Sequence, residues 1–292
     1  MQSNSGQSEF FDQLPYWEQR LLMWKKIRPR QSRFLYKYRS IDTEDEESLD
    51  RLRQIIVDNT LWFSAPLDFN DPFDLAMDFI FEGPAEEVRK RIDQVLKNQS
   101  VPFKKRKKRV AAIMSGKTLG SNFKEKLAQN LREHHPVHLS ETGVCSFAGH
   151  PRSIPMWSYY ADSHAGICLQ FERARDTRLL IQSVRVKYSN KFPTINYIKD
   201  LEEQLAAVVL QKSKDWKHEE EQRIILPENG RRSIPFHPDA LTGMIFGLRT
   251  PDETKRIVKQ MANARADNGQ STPRLYQAVR KPGRYDLGIY RS

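Results

Sequence analysis

Gly166-Ile167-Cys168-Leu169-Gln170-Phe171 sets Ile167, Leu169 and Phe171 against Cys168 and Gln170 with a period of two. That alternation predicts a strand with one face buried. Val144–Phe147 before it and Val184–Tyr188 after it are short runs of the same kind, so three strands are predicted in succession. Working outward, further strands are predicted at Leu35–Arg39, Leu61–Ser64, Glu221–Leu226, Gly243–Gly247, Arg274–Val279 and Tyr285–Ile289. Helices fall between them. Thr43 and Glu46 have the spacing of a capping box, which predicts a helix to about Val57 with Leu49, Leu52, Ile55 and Ile56 inward. Others are predicted over 197–214, with Leu201, Leu205, Val208 and Val209 inward, and over 252–264. Adjacent strands with segregated helices predict an α+β fold, with mixed or antiparallel sheets forming a cleft, rather than a regular βαβ series.

At 292 residues, 38% hydrophobic and 29% charged, the composition is that of a globular chain able to bury a core without staples. One α+β domain is expected over 34–292, preceded by an N-terminal arm at 1–33 in which Trp17, Leu21 and Trp24 share a helical face. That stripe is expected to dock on the body of the protein or on a second copy of the chain. Cys145 and Cys168 are too few for a disulfide framework and lack metal spacing, so a buried reduced pair is expected. The polar start and the lack of a long apolar run predict a cytoplasmic protein that uses no membrane.

Net charge is +11, and it is unevenly spread. Between Val101 and Ser140 there are ten Lys/Arg against two acids, and between Arg249 and Ser292 ten against four. A helical basic insertion is expected at 84–140, its first helix carrying Val88, Ile92, Val95 and Leu96 on one face. It contains the run Lys104-Lys105-Arg106-Lys107-Lys108-Arg109. Such a run attracts polyanions by counterion release, although a solvated helix face has the same composition.

Four clusters combine aromatic, charged and turn residues. They are Tyr36-Lys37-Tyr38-Arg39-Ser40; Leu61-Trp62-Phe63-Ser64 running into Asn70-Asp71-Pro72-Phe73-Asp74; Val144–Phe147 with Pro155–Asp162, His164 and Gly166; and Lys212, Trp216 and Glu219-Glu220-Glu221-Gln222-Arg223. In this order, over 34–250, they resemble the bacterial family catalogued as domain of unknown function 2971. The chain departs from the pattern of that family at Tyr159, where a histidine is common, and at His218 and Gln222, where aromatics are common.

Glu219-x-Glu221 at the predicted start of a strand puts two carboxylates on one side, with Arg223 beside them. Close carboxylates repel, which raises one pKa and suits it to acid–base work. The order of clusters is also similar to that of ADP-ribosyltransferases, which would make NAD a substrate and Glu221 and Glu219 the catalytic pair. That similarity implies that Tyr36, Lys37, Arg39, Ser64, Trp157 and Tyr160 bind the cofactor, with Lys37 or Arg39 on the pyrophosphate and Trp157 or Tyr160 stacked on nicotinamide. The acceptor would be a nucleic-acid or ribosomal target, as in a toxin or phage-defence effector. The competing expectation is a non-catalytic nucleic-acid-binding or sensing protein that grips phosphate through Lys104–Arg109 and the basic C-terminal segment. No metal is expected. Asp68, Asp71 and Asp74 lack the calcium-loop spacing, and Asn70 and Asp71 are expected to cap the backbone of a turn; His134, His135 and His138 have no ligand partners at metal spacing.

Overall fold

The computed structural model describes residues 32–115 and 141–292, apart from 81, 99, 200–203 and 205–207. All but the end of the expected arm, the three clustered histidines, and Leu201 and Leu205 lie outside the described residues. In chain order the described strands begin with β1 (Phe34–Arg39), β2 (Thr60–Phe63), β3 (Asp78–Ile80), β4 (Gly143–Phe147) and β5 (Ile167–Glu172). They continue as β6 (Val184–Arg185), β7 (Lys187–Ser189), β8 (Thr194–Asn196), β9 (Gln211–Ser213) and β10 (Gln222–Leu226). The last are β11 (Arg232–Pro235), β12 (Leu241–Phe246), β13 (Arg274–Arg280) and β14 (Leu287–Arg291). The helices are α1 (Glu46–Ile56), α2 (Ala85–Asn98), α3 (Phe103–Met114), α4 (Ile154–Tyr160) and α5 (Asp252–Asp267). The fold is α+β, with mixed and antiparallel sheets.

The described residues of Pro29–Asn70, Ser140–Tyr188 and Lys212–Ser292 form one compact unit. Its larger sheet has the order β1-β5-β12-β13-β14, antiparallel except for the parallel pair β12–β13. A second, antiparallel sheet has the order β4-β10-β6, and β2 pairs with β11. β4 joins these pieces. Val144 and Ser64 exchange backbone hydrogen bonds of 2.8 and 3.1 Å, and Ala148, just past the strand, exchanges bonds of 2.7 and 3.0 Å with Tyr36.

The alternation of β5 sorts the core. Ile167, Leu169 and Phe171 pack with Leu52, Ile55 and Ile56 of α1 and Val258 and Ala262 of α5. Cys168 faces the other way, among Tyr36, Tyr38, Met156 and Trp157. Both cysteines are free and buried. Helix α1 starts two residues later than the Thr43 capping box predicts: Asp45 is the N-cap, its carboxylate accepting from the Glu47 N–H at 3.0 Å. An acid at that position also favours the positive end of the helix dipole.

The described residues of Asp71–Leu139 and Ser189–Gln211 form a second unit. Helices α2 and α3 meet through Val88, Ile92, Leu96 and Val110, with Ile113, Met114 and Ile198 against them. Arg106 is the one member of the basic run turned toward α2, donating to Asp93 at 2.6 Å. The other five are exposed. Cations three or four residues apart on a helix repel, at about 0.2–0.5 kcal/mol per pair. The run therefore weakens the helix it sits on. The helix predicted over 197–214 does not extend to its predicted end, because Gln211–Ser213 form β9 and a 3-10 helix follows at Lys214–Glu219. β-branched Val208 and Val209 lower helix propensity there.

Arg265 of α5 is fully buried and holds the connections around α1. It donates to Ile56 O at 2.6 Å, Pro238 O at 2.7 Å and Ser271 O at 3.1 Å, and to the side chain of Asn59. Arg265→Met leaves these acceptors without a donor, each buried orphan costing about 1–3 kcal/mol. We expect urea unfolding to show a loss of at least about 3 kcal/mol.

Candidate functional site

The site is built around the chain reversal that leads into β10, wholly within the first unit. Ser213 opens the 3-10 helix by accepting from the Asp215 N–H, and Glu219 closes it. Glu220 then takes a left-handed conformation at φ 46° and ψ 44°, and β10 begins at Gln222. Glu219 and Glu221 are thus not alternate residues of one strand, as the sequence predicts. They flank a kink, and the kink turns both carboxylates toward Lys212 on β9. The backbone is pinned on each side: Gly149 N–H donates to Glu219 O, Ser153 Oγ to His218 O, and Glu221 N–H to the Tyr188 hydroxyl at 2.7 Å. Gly149 has no room for a side chain, because a Cβ would lie 2.8 Å from Glu220 Cβ.

Lys212 Nζ donates to Glu219 Oε2 at 2.6 Å and to Glu221 Oε2 at 3.1 Å. Arg223, which is 0% exposed, grips Glu221 with two parallel bonds, Nε to Oε1 at 2.6 Å and Nη2 to Oε2 at 2.9 Å. Tyr160 Oη donates to Glu219 Oε1 at 2.9 Å. Aromatic rings surround these charges. Lys212 Nζ lies 5.1 Å from the Trp216 ring centre and the Arg223 guanidinium 5.8 Å from that of Phe69. Tyr160 is half-buried, and Asn70, which also bonds Tyr160, is exposed.

The two carboxyls are 5% and 3% exposed, yet their chemistry diverges. Burial pushes Glu221 up, but the Arg223 and Lys212 charges outweigh it and take the carboxyl down to about 2. For Glu219 burial prevails over Lys212, and the neighbouring Glu221 charge adds to it, so its pKa is raised above the ordinary value. The surroundings thus favour the anionic form of Glu221 and the protonated form of Glu219. Burial also raises Tyr160, so its phenol stays protonated as a donor.

The other predicted site residues divide between the two faces of β1. Tyr36 lies in the core beside Tyr38, with burial pushing its pKa up to about 12. Trp157 is 0% exposed, edge-on to Tyr38 and donating to Pro151 O, so its ring offers no face for nicotinamide. Lys37 donates to Ser146 O at 3.0 Å and lies 3.6 Å from Cys145 Sγ, its pKa lowered by burial. Arg39 Nε is buried with no partner. Ser64 serves the sheet through its backbone bridge to Val144. Sequence reading left Lys212, Tyr188 and Ser146 without a role, although Lys212 belongs to the fourth cluster and Ser146 to the third. Asp71 caps its own turn by accepting from the Phe73 N–H, and Asp68 pairs with Arg231 at 2.7 Å. Among the described residues no group of three His, Cys, Asp or Glu side chains is placed to hold a metal ion.

Residues 156–224 match the family model described as "Protein of unknown function (DUF2971)". The match runs from α4 into β10, so it takes in Tyr160, Lys212, Glu219, Glu221 and Arg223, and leaves out the first two sequence clusters. No curated protein and no solved structure matches the chain. Tyr159 and His218, two positions at which the resemblance departs, meet in the fold with ring centres 6.4 Å apart.

Removing Arg223 leaves the Glu221 anion buried with Lys212 as its main counter-charge. Arg223→Met should lower stability by about 3–5 kcal/mol, as breaking a buried ion pair does. Glu221 also sets an acid limit. Because its folded pKa lies below the unfolded value, its contribution is present above about pH 4.5 and is lost as pH falls toward about 2. Thermal melts from neutral to low pH should show this loss in the wild type, and a smaller one in Arg223→Met.

Proposed function

We propose that this chain is an ADP-ribosyltransferase-like enzyme that consumes NAD. What supports the reading is a pair of buried carboxylates of opposite tendency, one locked as an anion by Arg223 and one protonatable beneath Tyr160. Transfer from NAD breaks the bond between ribose C1′ and the pyridinium nitrogen. The bonding pair leaves on nicotinamide, which departs neutral, and positive charge develops on the ribose. Preorganised negative charge stabilises that state. Glu221 supplies charge that does not vary near neutral pH. Glu219 takes the proton of the acceptor as the acceptor oxygen or nitrogen bonds to C1′. Trp157 is enclosed, so Tyr160 and Trp216 take the stacking role in this reading.

The test is nicotinamide release from NAD⁺ incubated with the full chain and a nucleic-acid-containing extract, followed by mass spectrometry. We expect release from the wild type and a fall of about 10²-fold or more in Glu219→Gln, the usual scale for loss of a general base. Because the base acts deprotonated, the wild-type rate should rise with pH through a value above the ordinary range of a glutamate carboxyl, and Glu219→Gln should abolish that rise. Wild-type protein that releases no nicotinamide in any extract would falsify the proposal.

A further inference from the structure

The basic run lies in the second unit, apart from the carboxylate site, and nothing in the proposed chemistry uses it. At 100° per residue, Lys104, Lys105, Lys107, Lys108 and Arg109 cover an arc of about 200° on α3. The opposite side carries Val110, which packs on α2, and Arg106, which is tied to Asp93. All five outer cations are exposed, and no carboxylate among the described residues pairs with them. The surrounding sequence does not balance them either, since 85–115 holds ten Lys/Arg and three acids. Lys104, Lys107 and Lys108 are helical neighbours, as are Lys105, Lys108 and Arg109, so the helix carries mutual repulsion that a bound polyanion relieves.

We propose that α3 is a nucleic-acid docking surface that grips the sugar–phosphate backbone without reading sequence. The chemistry selects the partner. A helix of 12 residues is about 18 Å long, and its five cations can meet several consecutive phosphates. Lysine is a point charge without the planar fork that reads a base edge, so such contacts position the polymer and do not discriminate among sequences. An anionic membrane is the weaker match. A membrane-surface helix needs an apolar face to insert, and here Val110, Ile113 and Met114 are occupied against the unit's own core. The proposal stands whether or not the chain consumes NAD.

The experiment is fluorescence anisotropy with the full chain and labelled RNA and DNA of about 20 nucleotides, single-stranded and duplex, over about 50–200 mM salt. We expect binding that weakens steeply with salt and differs by less than about threefold between scrambled sequences, with the better polymer identifying the natural target. Replacing the five outer cations by glutamine should weaken binding at least about tenfold and flatten the duplex salt slope by about 4. The melting temperature of that variant should hold or rise, since repulsion is removed, which separates lost binding from lost folding. Replacing the four lysines by arginine should restore affinity. The proposal is overturned if the wild type binds none of the four polymers, if the glutamine variant binds as the wild type does, or if vesicles of anionic lipid are preferred to every oligonucleotide.

Discussion

A carboxylate cannot stay ionised in a protein interior unless cations stay with it, and Glu221 is 3% exposed. Its requirement organises everything around it. Arg223 must lie close enough for both nitrogens to reach, and a separation of two residues across the start of β10 supplies this. Lys212 must arrive from another strand, β9, and it brings Glu219 as a second anion. The resulting quartet of two cations and two anions tolerates burial where any single member would not. The left-handed turn at Glu220, the Gly149 contact and the Tyr188 hydroxyl are the backbone conditions under which the four groups meet.

Much of the frame was legible because it rests on local alternation. The i, i+3, i+4 spacing on α1 and α2 depends only on which face is apolar, and the structure keeps it; 167–171 forms the predicted strand, but Cys168 on its second face is buried too, against Tyr38 and Trp157, so the strand is covered on both sides. The site was legible in composition and not in geometry. Glu219-x-Glu221 reads as strand alternation, whereas the carboxylates converge by way of a kink at a non-glycine residue. No local preference marks that kink, because left-handed backbone at Glu220 is disfavoured and is held by long-range bonds. Lys212 could not be assigned to Glu221 from sequence either. An ordinary lysine in a charged segment has no marking that distinguishes a solvated cation from a buried counter-ion. Trp157 failed in the opposite direction: the same aromatic cluster serves equally as a binding face or as core, and only the packing of Tyr38 and His164 against it decides for core.

The two units treat charge in contrasting ways. At the candidate site of the first, Lys212 and Arg223 are matched with Glu219 and Glu221 and removed from solvent, so their energy depends on geometry and little on salt. In the second, α3 leaves five cations in water with one another for neighbours, so their energy depends on salt and little on geometry. A small core of Val88, Ile92, Leu96 and Val110 suffices to hold that helix despite its repulsion, because the apolar contact and the cations occupy opposite sides.

Tyr159, His218 and Gln222, the positions at which the resemblance departs, have unequal surroundings. Tyr159 and His218 lie with ring centres 6.4 Å apart, so each ring has an aromatic neighbour. His218 Nδ1 meets Asp215 O at 3.1 Å, which fixes the ring against the 3-10 helix. Gln222 has no such compensation. It is 0% exposed, stands opposite Phe147 on β4, and neither polar atom of its amide has a partner among the described residues. An unpaired buried amide costs about 1–3 kcal/mol that an aromatic ring at the same place would not. The amide lies on the opposite side of β10 from Arg223, so its cost falls on the packing between β10 and β4 and leaves the Glu221 grip intact.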